Sequence, residues 1–179
     1  MLIDAMRTRL HFTFLLLLAV LAGVSGCRKE KDPTPLERLP PATTTGANTW
    51  GCLVNGEAWA NKGEAHVGAD WTVPDGMSVG MSFSTRYVRL VFPDSTNRYR
   101  LTAGDYPLVR NAATGSHASV HIGNKIYNGS NLVNGMAHLS RVDRQAGVVS
   151  GTFEFTIVDQ PGDTLQVTNG RFDIGDMAR

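Results

Sequence analysis

From Trp50 to Ile174 the apolar residues recur at every second position rather than every third or fourth, and this period constrains the fold most. Successive side chains of a strand point to opposite faces, so alternation of this kind buries one face and wets the other. Trp50-Gly51-Cys52-Leu53-Val54 and Glu57-Ala58-Trp59-Ala60 flank Asn55-Gly56. Both residues of Asn-Gly tolerate positive φ, which a type I′ hairpin turn requires. The turn sets Val54 opposite Glu57, Cys52 opposite Trp59 and Trp50 opposite Asn61. Trp50, Cys52, Val54 and Trp59 then share the inward face.

Further along, Met77, Val79, Met81 and Phe83 alternate with Ser78, Gly80, Ser82 and Ser84, and Val88, Leu90 and Phe92 follow the same rule. Shorter strands are predicted at Tyr99–Thr102, Ala118–Ile122 and Lys125–Tyr127. Longer ones are predicted at Gly135–Val142, Val148–Val158 and Thr164–Ile174. Phe153, Phe155 and Ile157 point one way, against Thr152, Glu154 and Thr156. Leu165 and Val167 are out of phase with Phe172 and Ile174, and one extra residue reconciles them. The pattern therefore predicts a β-bulge at Asn169-Gly170. No segment carries a helical stripe. The expectation is one all-β domain over residues 50–179, an antiparallel β-sandwich of about eight to ten strands, with a closed, lipocalin-like β-barrel as the alternative.

The first 49 residues have a different character. Arg7 and Arg9 precede a nearly uninterrupted apolar run, Phe12–Val24, of 13 residues. That length suits the core of a secretory signal and falls short of the roughly 20 residues of a spanning helix. Met6 offers a cleaner start than Met1, because it leaves Asp4 out of the positive region. The run ends in Val24-Ser25-Gly26-Cys27, which resembles the lipobox of bacterial lipoproteins. Small Ser25 and Gly26 admit a peptidase to the backbone, and Cys27 supplies the nucleophilic sulfur. The resemblance implies diacylglycerol on Cys27 and cleavage between Gly26 and Cys27. Each buried CH₂ adds about 0.8 kcal/mol of membrane affinity, so two or three acyl chains hold a protein firmly. Residues 1–26 are thus expected to be a signal peptide. Residues 27–49, with four prolines and several threonines, are expected to be the lipidated Cys and a flexible tether.

Charge enters the argument at this point. The chain has 17 Lys+Arg against 16 Asp+Glu. Loss of residues 1–26 removes Arg7, Arg9 and Asp4 and leaves 15 of each. A neutral chain has no basic excess to neutralise phosphates, so no nucleic-acid partner is expected. The membrane, reached through the lipid, is the expected partner.

Four blocks carry a second resemblance. They are Thr45-Gly46-Ala47-Asn48-Thr49-Trp50-Gly51-Cys52-Leu53-Val54-Asn55-Gly56, Gly104-Asp105-Tyr106-Pro107-Leu108, Ser150-Gly151-Thr152-Phe153-Glu154-Phe155 and Thr168-Asn169-Gly170-Arg171-Phe172-Asp173. In this order they resemble small Bacteroidetes-type outer-membrane lipoproteins with a C-terminal domain of unknown function. The resemblance implies a location at the outer membrane and an all-β domain, and it carries no catalytic residues. Ala137 departs from it, since a larger apolar residue is expected there.

Local chemistry is sparse. Cys52 lies between Trp50 and Val54 without a visible base, which reads as a buried thiol. His117 and His121, four apart on a strand, are about 13 Å from one another, too far to share a metal. Glu154, Asp143, Asp159 and Asp173 show no pairing of the kind glycoside hydrolysis needs. Among the aromatics, Trp71 and Tyr127 stand beside polar or Gly residues and are the candidates for ligand-facing side chains. No cofactor, metal or catalytic constellation is expected. The function expected is a non-catalytic envelope lipoprotein that binds or scaffolds, with a glycan or an envelope protein as partner. A barrel carrying a small apolar ligand in a cavity lined by Met81, Phe83, Phe153 and Phe155, and a glycan-directed hydrolase, are the alternatives.

Overall fold

The computed structural model describes residues 31–61, 65–73, 76–93, 101–110, 115–159 and 162–175, without the side chains of 71–73. Among them are eleven strands: β1 Thr49–Val54, β2 Glu57–Ala60, β3 His66–Val73, β4 Gly76–Phe83, β5 Arg86–Pro93, β6 Gly104–Pro107, β7 His117–Ile122, β8 Lys125–Tyr127, β9 Leu132–Asp143, β10 Val148–Asp159 and β11 Asp163–Ile174. They form a six-stranded sheet in the order β2-β1-β11-β10-β9-β6 and a five-stranded sheet in the order β3-β4-β5-β7-β8. Every ladder is antiparallel. Neither sheet closes on itself, so the fold is a β-sandwich and the barrel alternative is corrected.

The first hairpin follows its turn chemistry. Asn55 and Gly56 take φ of 49° and 81°. Val54 pairs with Glu57 and Cys52 with Trp59. Asn61 donates its N–H to Trp50 O and accepts from Trp50 N through Oδ1. The bulge is also where the phase change places it. Phe153 pairs with Gly170 and Phe155 with Val167, so β11 spends one residue more than β10 over this stretch. Asn169 absorbs it with φ of 53°.

Alternation fills the space between the sheets. Trp50, Cys52, Phe153, Phe155, Val167, Phe172 and Ile174 come from the six-stranded sheet, and Met77, Val79, Met81, Val88, Leu90 and Phe92 from the other. Trp50 stacks on Phe172 at 5.5 Å and tilts onto Phe153 at 4.9 Å. Ala137 is small because its cross-strand partners are Phe153 and Tyr106. Two rings on either side leave room for a methyl group only.

Three strand expectations change. Phe83 is 41% exposed, because it is the last residue before the Ser84-Thr85 turn and lies past the end of the core. The strand expected at Tyr99–Thr102 is displaced: Tyr99 lies outside the described residues, Leu101 and Thr102 are not in a strand, and β6 begins at Gly104. Strand β3 was not among the expected strands, although Val67, Ala69, Trp71 and Val73 alternate with His66, Gly68, Asp70 and Thr72 in the same period of two.

The folded unit also starts earlier than residue 50. Residues 33–179 form one compact unit, and 33–48 lie on the six-stranded sheet as a strap. Thr34 Oγ1 and N both donate to Glu37 Oε2, which closes a short 3₁₀ turn at Leu36–Arg38. Leu39 is buried. Pro40 packs so closely on Gly51 that a Cβ there would sit 2.6 Å from its Cδ. The expected flexible tether through residue 49 is therefore corrected for 33–48. Proline and threonine composition offers little apolar surface to bury, but the strap is held mainly by hydrogen bonds.

Candidate docking surface

The outer face of the six-stranded sheet has a covered end and a bare end. At the covered end Asp173 is fully buried on β11. Its Oδ2 accepts from Thr43 Oγ1 at 2.6 Å, Thr45 N at 2.9 Å, Thr45 Oγ1 at 3.3 Å and Ala47 N at 3.1 Å. Its Oδ1 accepts from Gly46 N at 2.8 Å and Ser150 Oγ at 2.7 Å. Gly46 turns the strap around the carboxylate with φ of +79°, so that successive N–H groups converge on it. Burial pushes this carboxyl up, but the bonds from Ser150, Thr43, Gly46 and Ala47 outweigh burial and hold it well below the usual carboxylate range. Arg141 Nη1 donates to Thr44 O and Arg171 Nη1 to Pro40 O, which fasten the strap on both sides. Three of the four resemblance blocks meet here, through Thr45-Gly46-Ala47, Ser150 and Asp173. Nothing local in the sequence marks that convergence, because the residues are up to 128 positions apart.

Beyond the strap the face is open. One groove of about 500 Å³ is lined by Leu36, Ala42, Met136, His138, Glu154 and Arg171, among others. A neighbouring groove of about 480 Å³ continues along Asn134, Met136, Glu154, Thr156, Gln166 and Thr168. Leu36, at 50% exposed, and Met136, at 40%, give this face apolar character. Val133 and Val158 are also exposed, on β9 and β10. The charges are mixed in sign: Glu154 and Arg171 line the first groove, and His138 Nδ1 lies 2.6 Å from Asp105 Oδ1 at its rim. The register places Asp105 opposite His138 on neighbouring strands. The sequence reading missed this pair, because β6 itself was not foreseen.

The sequence candidates fall as follows. Gly26 and Cys27 lie outside the described residues, as does the side chain of Trp71. Tyr127 is not ligand-facing. It pairs with fully buried Val120, is itself buried, and its hydroxyl donates to Asp163 Oδ2 at 3.1 Å. The polar residues beside it form a 3₁₀ turn, Gly129–Asn131, that packs back onto β7, with Gly129 against Ala118 O. Lys125 lies over the Tyr127 ring and bridges Asp159 and Asp163, so these two carboxylates meet around a cation. Asp163 and Tyr127 raise the Lys125 ammonium above its ordinary value. Asp143 Oδ1 accepts from Ala146 N, which is turn geometry. Cys52 is fully buried, and burial pushes its thiol up to about 12. His117 and His121 stand on one strand, and His121 meets the Tyr87 ring edge-on at 5.3 Å. Met81, Phe153 and Phe155 belong to the packed core while Phe83 lies outside it, so the four do not line one cavity. That removes the observation on which the carrier alternative depends.

Comparison of the chain with known protein families, with curated proteins and with solved structures finds no match.

Proposed function

We propose that the protein is an envelope lipoprotein, anchored to the outer membrane through acylated Cys27, whose β-sandwich binds or scaffolds without catalysis. The observation that carries this reading is the order Arg7, Arg9, Phe12–Val24, Val24-Ser25-Gly26-Cys27 ahead of the folded unit. The sandwich supports the binding role through its open, two-groove outer face. The resemblance to small Bacteroidetes-type lipoproteins agrees with the same location. The test is metabolic labelling with an alkynyl palmitate in a Gram-negative host, followed by membrane fractionation. Native protein takes up label and sediments with membranes, and Cys27→Ala takes up none. Unlabelled native protein, or labelled Cys27→Ala, overturns the reading.

One observation favours a glycan-directed hydrolase as a second reading: the Asp105–His138 pair borders a groove that also holds Glu154. Against it, the side chains of His138 and Asp105 are 52% and 70% exposed, where water screens their interaction. Turnover on a glycan panel that is lost in both His138→Ala and Glu154→Gln would replace the binding role with this one.

A further inference from the structure

We infer that the bare outer face of the six-stranded sheet docks on the lipid headgroups of the membrane that holds the anchor, so that this face looks down and the five-stranded sheet looks outward. The inference rests on the proposed acylation of Cys27. Its structural ground is where the strap begins. Leu36 sits in the groove over β9, β10 and β11, the middle of the sheet. Pro33 is folded back beside the Leu36–Arg38 turn, since Arg38 donates from Nε to Pro33 O and from N to Thr34 O, and six residue steps separate Cys27 from Pro33. Fully extended, those six steps reach about 20 Å.

That reach selects a face. Strands are about 4.8 Å apart and packed sheets about 10 Å apart. A path from the middle of this sheet around an edge to the far side of the sandwich is then about 30 Å. The free chain is too short for it. The face beside the strap can meet the headgroups, and the far face cannot.

The chemistry of the face fits a headgroup layer. Leu36, Met136 and, by alternation with Glu154 and Thr156, Val158 offer scattered apolar contacts rather than a continuous patch. Glu154, Arg171, Asp105 and His138 supply both signs at short range. A zwitterionic headgroup presents both signs as well, and a neutral mature chain gains little from an anionic surface. The strap therefore fixes the face from which the chain leaves, and the six steps from Cys27 to Pro33 limit how far it can go.

The experiment uses the full acylated protein in vesicles of phosphatidylcholine and phosphatidylethanolamine carrying a headgroup nitroxide. A bimane fluorophore is attached at Thr152→Cys, on the bare face, or at Ser119→Cys, on β7 of the far sheet. Cys52 is buried and leaves the label specific. Quenching at 152 is expected to exceed that at 119 by at least about twofold. Insertion of about 20 Gly/Ser residues between Asp32 and Pro33 is expected to bring the ratio to about one. If Thr152→Cys fails to fold, Glu154→Cys takes its place. Equal quenching at the two sites, or more at 119, in protein shown to carry palmitate overturns the docking and leaves the anchor standing. Absence of palmitate overturns both.

Discussion

Asp173 on β11 and Ser150 on β10 are register partners, and the Ser150 hydroxyl donates to Asp173 Oδ1 at 2.7 Å. The pair lies under the strap, so one carboxylate joins two central strands to a segment about 130 positions away in sequence. Its donors are two threonine side chains, one serine and three backbone N–H groups. A buried carboxylate so surrounded is stable in place, and its removal leaves those donors without an acceptor.

Asp173→Asn is therefore expected to destabilise the domain by about 2–4 kcal/mol, because an amide keeps one acceptor and turns a donor toward other donors. For a domain of this size that lowers the melting midpoint by roughly 5–15 °C. The checks are thermal unfolding followed by circular dichroism and hydrogen exchange at Thr45, Gly46 and Ala47. Exchange at those amides should rise before the rest of the sheet opens. Unchanged exchange there would mean that the strap does not depend on Asp173.

The same site sets an acid limit. The folded Asp173 carboxyl titrates below its unfolded value of about 3.9. A group lowered in this way contributes its stability fully above the unfolded value, and the contribution is lost as pH falls toward the folded value. Denaturant midpoints of the native protein should fall between about pH 5 and pH 2. In Asp173→Asn the slope over that window should be shallower, although its plateau lies lower. Parallel curves for the two proteins would assign the acid sensitivity to other carboxylates.

A third prediction concerns the place where the strap crosses β1. Gly51 has no room for a side chain: a Cβ would lie 2.6 Å from Pro40 Cδ and 3.3 Å from Leu39 Cδ2. Gly51→Ala should cost about 1–3 kcal/mol through overpacking. Pro40→Ala in the same chain should recover part of that loss, because it removes the ring that the new methyl meets. Urea midpoints of the two single variants and the double variant form the cycle. Strict additivity would show that the two residues do not touch in solution.

Much of the sandwich was legible in the chain, and the strap and groove were not. The hairpin at Asn55-Gly56 and the bulge at Asn169-Gly170 could be read because turn chemistry and phase are local properties. The core faces of β4, β5, β10 and β11 could be read because burial follows a period of two. The strap could not, because what holds it is Asp173, Arg141 and Arg171, all distant in sequence. The Asp105–His138 pair was hidden for the same reason, since only the β6–β9 register brings it together. Tyr127 misled through its neighbours: Asn128, Gly129 and Ser130 look solvated, yet their turn folds back over β7.

Tyr127 supplies the last prediction. A ligand-facing tyrosine would lose binding on truncation and little stability. A core tyrosine behaves in the opposite way. Its ring lies on the Val120 side of β8, beneath Lys125, and its hydroxyl reaches Asp163 at the start of β11. That contact ties the last strand of the five-stranded sheet to the other sheet. Tyr127→Phe keeps the ring and removes one hydrogen bond, so it should cost about 0.5–1.5 kcal/mol. Tyr127→Ala also empties the ring's space and should cost about 3–5 kcal/mol. Chemical denaturation of both variants measures the two steps separately. A Tyr127→Ala protein as stable as Tyr127→Phe would place the ring outside the core and return it to the surface as a candidate for ligand contact.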